Sequence, residues 1–156
     1  MITVVSMYFE DFKEGYCFET SSRKVTKDDI IVFAKQWDYQ PFHLDEEIAA
    51  QGPFKGLIAS GWQTLLIAFA LILDTQKISD SSLGSPGLED VHWFLPVRPN
   101  NILTCKVTVL SSRLSKKSAK GIVKILVEIF NQDQNLAADF KAIWMLRLRP
   151  GHCSIQ

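Results

Sequence analysis

Trp37-Asp38-Tyr39-Gln40-Pro41-Phe42-His43-Leu44-Asp45 leads through Gly52-Pro53-Phe54-Lys55-Gly56 into the most apolar segment of the chain, Leu57 to Leu73. The first part is a polar loop holding a carboxylate and an imidazole five residues apart. The second has the apolar density of a helix buried on nearly every side. Acid/base groups held against a buried scaffold are the reading this order suggests. Gly56 is expected to open the helix, which spans about 27 Å if it continues to Leu73. Gly56, Ser60 and Thr64, four residues apart, would then share one helix face.

The flanking segments supply a sheet to wrap that helix. Upstream, Tyr8 to Gly15 reads as an exposed lead-in and Tyr16 to Val25 as a strand of weak periodicity. Thr26 with Asp29 forms a capping-box-like start, and Ile30, Phe33, Ala34 and Trp37 recur at helical spacing, so an amphipathic helix delivers Asp38 at its end. Pro41 disfavours helical geometry at Gln40 and lacks an amide hydrogen, which predicts a fixed irregular loop from Asp38 to His43. Asp45 is placed to cap a short helix through Ala50, broken by Gly52-Pro53. Downstream, Leu88 to Val97 reads as a strand broken near Pro96. Leu103, Cys105, Val107 and Val109 alternate with Thr104, Lys106 and Thr108; Val123, Ile125, Val127 and Ile129 lie on one face of the next run, and Ala138, Phe140, Ala142, Trp144 and Leu146 mark the last. These are strands with one buried face, joined by short connections and therefore antiparallel. The expected class is α+β, an antiparallel β-sheet wrapped around a central α-helix, in one domain over residues 1–156.

Composition narrows the functions available. The chain has 156 residues, 47% of them hydrophobic, enough for a sizeable core. Seventeen basic residues balance seventeen acidic ones, so no net field draws the protein to nucleic acid or to an anionic membrane. The basic connection Arg113, Lys116, Lys117 and Lys120 reads as a solvated hairpin. The N-terminus lacks a basic n-region, and Ser60, Gly61, Gln63 and Thr64 interrupt the apolar run, against a signal peptide and a membrane span. Cys17, Cys105 and Cys153 lack metal or redox spacing, which fits free thiols in the cytoplasm.

Asp38 and His43 are the candidate catalytic pair: converging on one water, they can take its proton and return one to carbon. Taken alone, D-x-x-x-x-H better fits a helix-end aspartate and a loop histidine bonded to backbone. Gly56, Ser60 and Thr64 are the candidate substrate-binding residues, with free amides at a helix start suited to an oxygen that becomes negative; close packing and bonds back to the same helix are the structural alternative. Asp45 with His43 is a metal pair lacking a third ligand, so a cap is favoured and no metal is expected. His92 and His152 have no partner visible in the sequence.

With these residues quoted, the chain resembles the MaoC-like acyl dehydratases, relatives of the R-specific enoyl-CoA hydratases in the hotdog superfamily. The family loop is approximately G-D-x-N-P-x-H-x-D, matched here by residues 37–45; Gly56 to Trp62 and Leu95-Pro96-Val97-Arg98-Pro99 extend the likeness. Departures are Gln40 for the usual Asn, Trp37 for a frequent Gly, Lys55 for a frequent His and Asn100-Asn101 for Gly-Asp. The resemblance implies a hotdog fold in a homodimer or dimer of dimers, without cofactor. It implies a lyase of acyl-CoA and fatty acid metabolism, in which Asp38 and His43 act on water and an enoyl thioester while the Gly56 region supplies an amide to the thioester carbonyl. A hotdog thioesterase and a non-catalytic acyl-thioester binding subunit are the alternatives.

Overall fold

Alternation in the last third of the chain builds the sheet. The computed structural model describes residues 6–151, and His152 and Cys153 lie outside them. Strands β1 (Cys17–Lys24), β2 (Leu88–Trp93), β3 (Ile102–Leu114), β4 (Gly121–Phe130) and β5 (Leu136–Leu146) form one sheet in the order β1-β3-β4-β5-β2. All pairings are antiparallel, with Val107 opposite Val127 and Val127 opposite Phe140 at its centre. Leu103, Cys105, Val107, Val109, Val123, Ile125, Val127, Ile129, Ala138, Phe140, Ala142, Trp144 and Leu146 are all buried. One sheet face is thus the core wall, as the period of two requires.

Four helices precede most of that sheet: α1 (Lys27–Trp37), α2 (Pro41–Leu44), α3 (Glu46–Gln51) and α4 (Gly61–Asp74). Thr26 caps α1 in a reciprocal capping box with Asp29, and Asp45 caps α3 by accepting the Ile48 N–H at 2.9 Å. Helix α4 buries Leu65, Ile67, Ala68, Leu71 and Ile72 in the same core as the inner residues of the strands. A fully buried Leu such as Leu71 contributes about 1.5–3 kcal/mol by removal from water. No described helix is long and apolar enough to cross a membrane.

Four expectations are corrected. Helix α4 begins at Gly61 rather than Gly56, because Ser60 is its N-cap, accepting the Trp62 N–H at 3.2 Å. Residues 57–60 instead run between neighbours, with Ile58 N–H donating to Phe42 O and Ala59 N–H to Val97 O. Gly56 has φ +150°, a backbone glycine adopts readily and a helix does not contain. The helix is therefore about 21 Å long, and Gly56 shares no helix face with Ser60 and Thr64. Second, the segment after Gln40 is a helical turn, α2, with Pro41 at its first position, where a missing N–H costs nothing. Third, Tyr8 to Gly15 is not simply exposed. Phe9–Asp11 is a 3-10 turn, and Phe12 is fully buried edge-on to Trp144 at 5.8 Å between centroids. Fourth, Trp37 and a stripe along α4, Trp62, Leu66, Phe69 and Leu73, are exposed in the single chain.

Candidate active site

The turn after α1 sets the distance between the two titratable groups. Asp38 closes α1 by donating its backbone N–H to Ala34 O, Gln40 N–H returns to Asp38 O, and His43 N–H donates to Gln40 O. Each bond is local, so the five-residue spacing in the sequence becomes a contact in space. His43 Nε2 lies 3.2 Å from Asp38 Oδ2, and the imidazole is 5% exposed.

The other ring nitrogen decides the tautomer. Nδ1 lies 2.7 Å from the Ile58 carbonyl oxygen, which can only accept, so Nδ1 carries a proton. In the neutral ring Nε2 then holds a lone pair that faces a carboxylate oxygen. Two acceptors aimed at each other are satisfied by a shared proton, so the pair can hold one between Asp38 and His43.

Asp38 is kept ionised by its neighbours. Desolvation by burial pushes its carboxyl up, but the Ser60 hydroxyl, the Gln40 amide and the His43 imidazole together outweigh that and hold it below its ordinary value. Gln40 Nε2 donates to Asp38 Oδ1 at 2.8 Å. Gln40 therefore leaves Oδ2 free to face His43.

These groups open onto a cleft of about 370 Å³. Asp38, Gln40, His43, Gly61 and Thr64 supply its polar surface, and Phe42, Phe54, Trp62, Trp93 and Phe94 much of its aromatic wall. The structure brings together three of the five residues singled out from sequence at the cleft surface: Asp38, His43 and Thr64. Ser60 is fully buried and serves the carboxylate from behind. Gly56 does not line the cleft, and its amide is already bonded to Ala49 O at 3.0 Å, so the free amide expected there is absent. A side chain at Gly56 would press on Arg98 Nη1 at 3.1 Å, while Arg98 Nη2 donates to Phe54 O at 2.6 Å. Gly56 is a point of close approach that lets Arg98 hold the Phe54 backbone. Gly61, the first residue of α4, is the helix-start residue that lines the cleft. Asp45 is engaged as a cap, and the other described histidine, His92, pairs with Asp139 Oδ1 at 2.8 Å on the sheet. Sequence reasoning missed the aromatic wall, which comes from four separate segments with no common spacing.

A helix packed in an antiparallel sheet, with a carboxylate and an imidazole meeting beside the helix start, defines a hotdog domain of the hydratase and dehydratase type. Residues 12–129 match the MaoC like domain, and the chain belongs to that family. It is 38% identical over 128 residues to the protein YdeM of Bacillus subtilis (strain 168), covering 82% of this chain and 90% of that one. It is 31% identical over 108 residues to the 3-hydroxybutyryl-CoA dehydratase of Methylorubrum extorquens, covering 66% of this chain and 64% of the relative. The crystal structure of the MaoC-like dehydratase from Rhodospirillum rubrum is similar at 32% identity and a TM-score of 0.83, over 93% of this chain and 99% of that chain.

Proposed function

We propose that this protein hydrates 2-enoyl thioesters and dehydrates 3-hydroxyacyl thioesters reversibly, with coenzyme A as the carrier. The observation that carries the proposal is the convergence of His43 Nε2 and Asp38 Oδ2, 3.2 Å apart, at the surface of an aromatic cleft. In the hydration direction His43 Nε2 accepts a proton from a water bound in the cleft beside the pair, and the water oxygen bonds to the β carbon. Electrons of the double bond move toward the thioester carbonyl, whose oxygen becomes negative. In this reading the Gly61 N–H, at the helix start that lines the cleft, stabilises that oxygen, the role assigned from sequence to the Gly56 region. The proton taken from water then passes from the pair to the α carbon, so one water is added and the pair is restored. Thr64 contributes to the cleft surface, and its hydroxyl is oriented by a 3.3 Å bond to the Ser60 carbonyl.

A second copy of the chain is part of the proposal. Trp62, Leu66, Phe69 and Leu73 are 45–62% exposed along one stripe of α4, an apolar band that a homodimer or a dimer of dimers would cover. A reducing cytoplasm fits Cys17 and Cys105, which are free thiols.

The test is hydration of a panel of short, branched and medium enoyl-CoA thioesters by wild type, Asp38→Asn and His43→Gln. At least one thioester turns over in wild type, and each variant loses about 10²- to 10⁴-fold in rate while remaining folded. Retention of the rate in both variants would refute the assignment, and acyl-CoA binding without turnover by wild type would identify a binding subunit instead.

A further inference from the structure

Trp62 borders two cavities. One is the cleft with Asp38 and His43; the other, of about 350 Å³, lies between α4 and the sheet, walled by Leu65, Phe69, Phe140 and Trp144 among others. The second cavity has no titratable side chain in its lining, so its surface suits an alkyl group rather than a polar one, and the second copy proposed to cover Trp62, Leu66 and Phe69 would close its outer side.

Trp62 is braced where it stands. The Trp93 indole N–H donates to the Gly61 carbonyl at 3.0 Å, and the two indoles meet edge to face at 6.2 Å between centroids. Gly61 makes this possible, since a Cβ there would lie 2.7 Å from Trp93 Cε2. The glycine thus seats Trp93 on the first turn of α4, and Trp93 supports Trp62.

We propose that Trp62, braced by Trp93, is a specificity-determining residue that partitions the cleft from the apolar cavity beside it and restricts the protein to short acyl chains. The inference rests on the reading of the cleft as an acyl-thioester site. A short acyl group fills the space before Trp62. A longer chain has to displace the indole or fold back among the aromatic rings, and gains nothing from the adjacent cavity. Removing the indole joins the two spaces and allows each further methylene to leave water.

The experiment measures affinity by calorimetry for butanoyl-CoA and octanoyl-CoA, saturated thioesters that cannot be hydrated, with wild type, Trp62→Ala and Trp62→Phe. Wild type binds octanoyl-CoA no more tightly than butanoyl-CoA. In Trp62→Ala the preference shifts toward octanoyl-CoA by about tenfold or more, whereas Trp62→Phe, which keeps a ring in place, stays near wild type. Circular dichroism establishes that each variant is folded. A folded Trp62→Ala with a preference within about twofold of wild type would overturn the proposal, because the added methylenes would then find no new apolar surface. So would a wild type that already favours octanoyl-CoA, a result that stands even if Trp62→Ala does not fold, or one that binds neither thioester. Hydration is assayed separately: a shifted preference without turnover upholds the partition and refutes the catalytic reading.

Discussion

Ser60→Ala removes one hydroxyl that serves two partners, and its consequences can be separated by pH. The Ser60 oxygen accepts the Trp62 N–H at 3.2 Å as the N-cap of α4; losing a serine cap costs about 1 kcal/mol. The same hydroxyl helps hold the Asp38 carboxyl below its ordinary value, so its loss adds to the cap cost at neutral pH. The cap loss alone lowers the unfolding midpoint by about 2–4 °C for a chain of this length. Asp38 has a folded-state pKa below its unfolded value, so its contribution to stability is present above the unfolded pKa. It is lost as pH falls through the folded pKa. The carboxylate part of the Ser60→Ala deficit is therefore largest at neutral pH and shrinks as Asp38 protonates, while the cap part persists. Thermal unfolding of wild type and variant between about pH 7 and about pH 3 reads this directly. A deficit equally large at both ends would refute the argument that Ser60 supports the ionised form of Asp38.

Gln40→Ala removes the 2.8 Å bond to Asp38 Oδ1, so the Asp38 pKa rises and the acid limb of the hydration profile moves to higher pH; an unmoved limb would mean that Asp38 does not work as the carboxylate. Gly121→Ala places a Cβ 1.9 Å from Phe9 Cδ2, and the overpacking costs about 1–3 kcal/mol. Denaturant unfolding checks that cost, and Phe9→Leu in the same background is expected to recover part of it. Burial pushes the Cys105 thiol up to about 12, with the Thr20 hydroxyl only partly opposing it. Mass mapping after treatment with a thiol reagent at neutral pH is therefore expected to find Cys17 modified and Cys105 modified only after denaturation.

Features set by near neighbours were legible in the sequence. Thr26 and Asp45 cap helices because their side chains reach amides within three residues, and the alternating runs became β3, β4 and β5 because one sheet face is buried. The Asp38 and His43 contact belongs here too, since the backbone bonds that create it all lie between Ala34 and His43.

The start of α4 was not legible, because an apolar run such as Leu57-Ile58-Ala59 has no local preference strong enough to separate helix from extended chain. Hydrogen bonds from Ile58 to Phe42 and from Ala59 to Val97 make that choice, and both join segments distant in sequence. The same holds for the site. Its acid/base pair is brought together by one turn of chain, whereas the Ile58 carbonyl that sets the His43 tautomer and the boundaries of the site come from distant segments. Phe54 is carried by the loop that Arg98 holds, and Trp93 is placed by a bond to Gly61, 32 residues earlier. The sequence alone thus determined that Asp38 and His43 meet, because neighbouring backbone brings them together. Only the tertiary structure decided which helix-start residue borders them and what walls enclose them, because those contacts exist only once the sheet has closed on α4.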